Sequence, residues 1–162
     1  MDLLDINWST VLSHLTLLGV AYILAIPIGW NRERYERSAG LRTFPLVAVA
    51  TCGFMLVGIE ALSTPGAHAR VLEGIITGMG FIGGGAILKS GRVVTGTATA
   101  ASLWGTGAVG IAVAWQRYEI AIVLSVLTFV TLQFVPTFKT MVREERPEDG
   151  EPDPDEDSGE DD

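Results

Sequence analysis

The sequence predicts an all-α fold, a polytopic transmembrane bundle of about five helices. Three observations lead there. Five apolar stretches recur along the 162 residues, each near the ~20 residues an α-helix needs to cross ~30 Å of hydrocarbon. Hydrophobic residues make up 48% of the chain, and they gather in those stretches instead of spreading evenly. The connections alternate between rich and poor in Arg and Lys, as the retention of cations on the cytoplasmic side requires.

The first stretch runs from Val11 to Trp30. Asp2 and Asp5 precede it with no cation, whereas a cleavable signal peptide starts with positive charge, so this reads as a retained helix. Arg32, Arg34, Arg37 and Arg42 follow, and the second stretch spans Thr43 to Leu62. It contains Cys52, the single cysteine, which has no partner for an intramolecular disulfide and packs as a small apolar residue. His68 and Arg70 lead into the third stretch, Val71 to Leu88, and Lys89 and Arg92 follow it. The fourth, Ala98 to Trp115, is the shortest relative to a full crossing, and Arg117 is the one cation between it and the fifth, Tyr118 to Phe138. Lys139, Arg143 and Arg146 come next. This alternation predicts a multi-pass protein of the cell membrane with its N-terminus outside and its C-terminus inside.

The formal net charge of −8 divides unevenly. From Glu144 onward there are 12 acidic residues and one Arg, so the preceding 143 residues carry +3. Residues 1–140 are thus expected to form a mildly basic membrane domain, and residues 141–162 a cytoplasmic acidic tail. "PEDGEPDPDEDSGEDD", from Pro147, has no apolar residue with which to build a core and is expected to be disordered. Solvation explains its charge as simply as attraction of divalent cations does. Nothing in the composition points to nucleic acid.

The third stretch holds a literal G-x-G-x-x-G at Gly78, Gly80 and Gly83. A dinucleotide loop needs a strand before it, a helix after it and an acidic residue about 20 positions on. Glu73 interrupts the only candidate strand, and the next acidic residue is Glu119, so a nucleotide cofactor is not expected. Membrane helices associate through close backbone approach, which small residues allow. At about 100° per residue, Glu73, Thr77, Gly80 and Gly84 share one stripe, and Gly74, Gly78 and Gly85 the next. Ile75, Met79, Ile82 and Ala86 lie opposite. This pattern predicts a central third helix whose small face is packed and whose large face meets lipid. Thr99, Ser102, Thr106 and Gly110 form a matching stripe on the fourth helix, expected to face the third across the short "KSGRVVTGT" connection. Their hydroxyls can bond across the interface or to carbonyls of their own helix.

Few charges lie within or beside the spans. Glu73 suits the N-terminal end of a helix dipole at the outer interface; pointing inward it is the one weak candidate for a metal ligand. A hard cation wants several oxygen ligands, and the spans offer little besides Glu73. His14 is expected at the outer interface or in the bundle interior, and Glu60 in solvent. The segment Arg32-Glu33-Arg34-Tyr35-Glu36-Arg37 reads either as a positive-inside anchor or as an ion-pair or docking surface. No Cys/His cluster has metal-ligand spacing, and no nucleophile–base pair stands out, so an enzyme is not expected.

"IGWNRERYERSAGLRTFPLVAVATC", Ile28 to Cys52, resembles the G-x-x-R-E and a-G-L-R-T segments of the MgtC/SapB family. "GMGFIGGGAILKSGRVVTGTATAASLWGTGAVGIAVA" resembles that family's next part, a G-x-G-F-x-G-x-G helix, a loop and an S-L-W helix. Position by position, the motif residues are Gly29, Arg32, Glu33, Gly40, Leu41, Arg42 and Thr43, then Gly78, Gly80, Phe81, Gly83, Gly85, Gly96, Thr99, Ala100, Ala101 and Trp104. Two departures stand out. Asn31 occupies a place where the family often has a larger apolar residue, and Gly96-Thr97-Ala98-Thr99-Ala100-Ala101 replaces the usual G-L-T-T-A-A. The resemblance implies an integral membrane protein linked to magnesium homeostasis and growth when Mg2+ is scarce. In some members it also implies modulation of the proton-driven ATP synthase. Several members carry a soluble C-terminal domain; here the acidic tail follows the fifth helix, so nothing that depends on such a domain is implied.

Two kinds of function remain at this stage. One is a non-enzymatic regulator acting through contacts with another membrane protein or through self-association. The other is a small ion transporter or channel with a polar path between the third and fourth helices. If the motif charges form a structured site, Arg32→Lys, Arg42→Lys and Glu33→Gln should insert normally yet fail to support growth, because Lys lacks the planar fork of Arg. The topology is tested by tags at both ends, probed for protease or thiol-reagent access in sealed cells. Five spans predict opposite sides, and two termini on the same side would overturn that number.

Overall fold

A computed structural model describes residues 6–34, 39–91 and 93–144. They form α1 (Trp8–Arg34), α2 (Thr43–Ala61), α3 (Pro65–Gly85), a hairpin of β1 (Leu88–Ser90) and β2 (Val93–Thr95), α4 (Thr97–Ala114) and α5 (Tyr118–Glu144). Arg37, Arg92 and the acidic tail beyond residue 144 lie outside the described residues. The all-helical bundle is as the apolar stretches predict. By length and composition, α1, α2 and α4 are each apolar and long enough to cross a membrane, and the described apolar part of α5, Tyr118–Phe134, is shorter.

The helix ends follow local chemistry more closely than the apolar runs do. α3 starts at Pro65, six residues before its apolar stretch. Thr64 is extended and its side chain accepts from the Ala67 amide at 3.3 Å, while Pro65 occupies a first-turn position whose missing N–H costs nothing. α1 runs on past Trp30 through Arg32 and Arg34, where cations suit the negative end of the helix dipole. Between α3 and α4 the sequence predicted only a short connection. The chain instead closes an antiparallel hairpin, with Leu88 opposite Thr95 and Ser90 opposite Val93, turning at Gly91 (φ 59°).

Outward faces of α1, α2 and α5 carry large apolar side chains, among them Leu15, Ile23, Phe54, Val57, Val126 and Phe134. Inward faces carry many small residues beside a few large ones such as Phe44 and Met55. Ala21, Ala25 and Ile28 of α1, Ala48 and Cys52 of α2, and Val109 and Val113 of α4 are fully buried. This is the arrangement that close helix approach in lipid favours. α4 sits at the centre and packs against each of the other four helices.

That position corrects the expectation of a central α3. Its small face is turned outward: a Cβ built on Gly74, Gly78, Gly80, Gly84 or Gly85 meets nothing within 4 Å. The buried face of α3 is Ile75, Met79 and Gly83. Met79 reaches into the notch left by Gly107 of α4, and Gly83 lies on the Ala100 backbone. Ile75 and Met79 of the large side are inside because the small partner they need belongs to α4, while Ile82 of that side remains exposed. The hydroxyl stripe of α4 is buried as expected, but it looks toward α1 and α2. Thr99 meets Arg32 of α1, and a Cβ at Gly110 would collide with Ala48 O and Thr51 Oγ1 of α2.

Gly110 is therefore where a side chain is least tolerated. Gly110→Ala should cost about 1–3 kcal/mol in thermal unfolding, and Gly110→Leu should prevent assembly. Gly80→Leu and Gly84→Leu should leave the stability of the purified chain within about 0.5 kcal/mol. Equal losses at all three positions would contradict this packing.

Candidate functional site

The last turns of α1, the start of α2, the α3–α4 hairpin, the start of α4 and residue Gln133 of α5 meet at one end of the bundle. There Gly29 faces the loop before α2. A Cβ at that position would lie 3.2 Å from the Leu41 Cα and 3.3 Å from the Gly40 carbonyl oxygen. That close approach lets Glu33 reach the loop, where its Oε2 accepts from the Leu41 amide at 3.1 Å. Gly40 lies against the same carboxylate, which fills the space a side chain would need. The Gly40 carbonyl then accepts from the amides of Thr43 and Phe44 at 3.0 and 3.1 Å, which starts α2. Gly29, Glu33, Gly40 and Leu41 thus make one unit that turns the chain from α1 into α2. Arg42 is exposed and Thr43 half-buried at its edge.

Arg32 points the other way, into the bundle. It is 6% exposed, and its Nη2 donates to Thr99 Oγ1 at 2.6 Å, a buried bond across 67 residues of sequence. Beside it Asn31, 1% exposed, donates from Nδ2 to Gln133 Oε1 of α5 at 2.8 Å. Asn31 Oδ1 is buried with no hydrogen-bond partner among the described residues. An unmet buried acceptor costs about 1–3 kcal/mol, which marks this corner as a polar site and not filler. About two turns further up, Ser125 Oγ of α5 donates to the Leu24 carbonyl of α1 at 2.6 Å. Gly96 completes this end. It adopts φ 86° with the Ala86 carbonyl pressed against it, and its own carbonyl receives the Ala100 amide at 2.9 Å. A left-handed residue with a backbone neighbour at that place can only be glycine.

The predicted motif residues therefore fall into two sets. Gly29, Arg32, Glu33, Gly40, Gly96 and Thr99 converge on this end, and Gly83 packs beside it on Ala100. Glu73, Gly78, Gly80, Phe81 and Gly85 do not; all are exposed, Phe81 at 87%. Trp104 is half-exposed on the far side of α4. Glu73 stands apart, and among the described residues no group of three or more His, Cys, Asp or Glu lies together. At the opposite end His14 of α1 and Glu60 of α2 form an exposed pair at 2.5 Å, so Glu60 has a partner where solvent alone was expected. Ser102 and Thr106 bond carbonyls of their own helix at 2.9 and 2.8 Å, the second of the two arrangements open to them in the sequence. Sequence reading missed Gln133, 102 positions from Asn31; an isolated amide in an apolar run was its only signal.

Comparison with known proteins gives one family and several relatives. The MgtC family model matches residues 18–141. Protein SrpB of Synechococcus elongatus is 35% identical over 126 residues, covering 70% of this chain and 69% of that protein. Protein SapB of Bacillus subtilis is 31% identical over 139 residues, covering 81% of this chain and 60% of SapB. Protein MgtC of Brucella abortus is 38% identical over 104 residues, covering 64% of this chain and 43% of that MgtC. The chain thus spans about half to two thirds of the length of such relatives. No solved structure matches it.

Thr99→Val keeps the shape but removes the acceptor that the buried Arg32 guanidinium uses. It should lower stability in thermal unfolding by about 1–3 kcal/mol, and Thr99→Ser should restore most of it. An unchanged midpoint for Thr99→Val would contradict a structural role for the bond.

Proposed function

The chain belongs to the MgtC family, and from that premise we propose that it is a cell-membrane regulator supporting growth at low Mg2+ through contacts with another membrane protein. All five helices cross the bilayer in this reading, and the protein catalyses no reaction. The observation that carries it is the outward small face of α3. Gly74, Gly78, Gly80, Gly84 and Gly85 have open space where side chains would stand, with Glu73 and Thr77 beside them. Each internal glycine costs a helix up to about 1 kcal/mol against Ala, and among the described residues nothing packs within 4 Å of a Cβ there to offset that cost. A facing helix offsets it, because small residues let backbones approach. The end cluster of Arg32, Thr99, Asn31 and Gln133 holds α1 to α4 and α5, so α3 is presented on a fixed frame.

Growth complementation in low-Mg2+ medium, with membrane levels checked by blot, tests the reading. Gly80→Leu and Gly84→Leu should insert at normal levels and lose growth support. Undiminished growth would remove α3 as the contact. The transporter alternative predicts Mg2+ or proton flux from the purified protein in liposomes; the regulator predicts none.

A further inference from the structure

On the side of α3 away from its glycine face, a groove of about 280 Å³ opens between α3, α4 and α5. Its walls are apolar, with Ile76 from α3, Ala108 from α4 and Leu124 from α5. Along α4 it extends from Trp104 to Trp115, about 16 Å at 1.5 Å per residue. Gly107 and Ala108 belong to its floor on α4. At its mouth sits the one charged residue of the lining, Arg117.

The α4–α5 turn fixes the backbone of that residue. Gln116 takes a left-handed conformation (φ 57°), and the Arg117 amide donates to the Ala112 carbonyl at 2.8 Å. Trp115 and Tyr118 flank it, 45% and 40% exposed, as aromatic side chains do at a membrane–water interface. Glu119 lies two residues on in the first turn of α5, yet among the described residues Arg117 forms no ion pair. An occupant must therefore be apolar over most of the groove's length and anionic at one end, and the groove opens sideways, toward lipid.

We propose that this groove is a binding site for an anionic phospholipid, with one acyl chain between α3, α4 and α5 and the headgroup phosphate held by Arg117. A zwitterionic lipid fits the walls as well, but its ammonium group competes with Arg117 for the phosphate. One cation near the surface favours an anionic lipid by about fivefold. Trp104 and Trp115 line the site and report occupancy directly.

The test uses full-length protein in which Trp8 and Trp30 are replaced by Phe, reconstituted in phosphatidylcholine vesicles. Fluorescence quenching is followed as brominated phosphatidylglycerol or brominated phosphatidylcholine replaces the host lipid. The glycerol lipid should quench at about one fifth the mole fraction. Arg117→Gln should abolish that preference, Arg117→Lys should keep it, and Ala108→Phe should reduce quenching by both lipids by filling the groove. A measurement that needs no variant is salt: about 1 M should shrink the preference, because the headgroup contact is screened. Equal quenching by the two lipids in the parent protein would overturn the proposal. So would a preference that survives both Arg117→Gln and high salt, or one that soluble glycerol phosphate competes away, since that would indicate a phosphate site instead of a lipid site.

Discussion

The contact between α2 and α4 at Gly110 sets the geometry of everything around it. Ala48 O and Thr51 Oγ1 occupy the space a Cβ at Gly110 would need, so the two backbones touch. Hydrocarbon gives helices no reason to hide Leu against Leu, and only such close approach lets dispersion and weak polar contacts accumulate. Thr106 and Leu103, about one and two turns before Gly110 on α4, are buried as well. α4 then has faces left for α1, α3 and α5. The helix with the greatest share of small and hydroxyl residues thereby becomes the hub.

The polar end cluster follows from that hub. A guanidinium inside a bundle is costly unless it is bonded, and the start of α4 supplies Thr99 at 2.6 Å. On the same last turns of α1, Gly29 lets the α1–α2 loop come close and Glu33 secures that loop through the Leu41 amide. The two motif blocks, separate in sequence, are thus two halves of one joint. Its residues hold helices together at their ends, which explains Gly29, Gly40, Gly96, Arg32 and Thr99 by packing and hydrogen bonding. Among the motif residues that this joint does not use, Gly78, Gly80, Phe81 and Gly85 all face outward on α3. Among the described residues nothing packs on the glycines there, which is why the proposed partner contact is placed on that surface.

Much of this was legible in the sequence, and the failures have a common cause. Apolar length located α2, α4 and the start of α5 to within a residue, because those limits coincide with polar connections. Helical spacing grouped Thr99, Ser102, Thr106 and Gly110 on one buried face. It did not say which neighbour that face meets, since periodicity describes one helix and not its surroundings. The same gap inverted α3. Small residues permit close packing, but a glycine on α4 can receive a methionine from α3 as readily as two small faces can meet. Met79 in the Gly107 notch is that case. The Asn31–Gln133 bond joins positions too far apart for any local pattern to pair.

Which face of α3 turns inward is the most direct test of a bundle centred on α4. Single cysteines at Ile75, Met79, Thr77 and Gly80, in purified Cys52→Ala protein, can be timed for reaction with an apolar maleimide in micelles. The structure predicts fast labelling at Thr77 and Gly80, and slow labelling at Ile75 and Met79, which are 9% and 5% exposed. Fast labelling at Ile75 and Met79 with protection at Thr77 and Gly80 would return α3 to the centre and contradict the account.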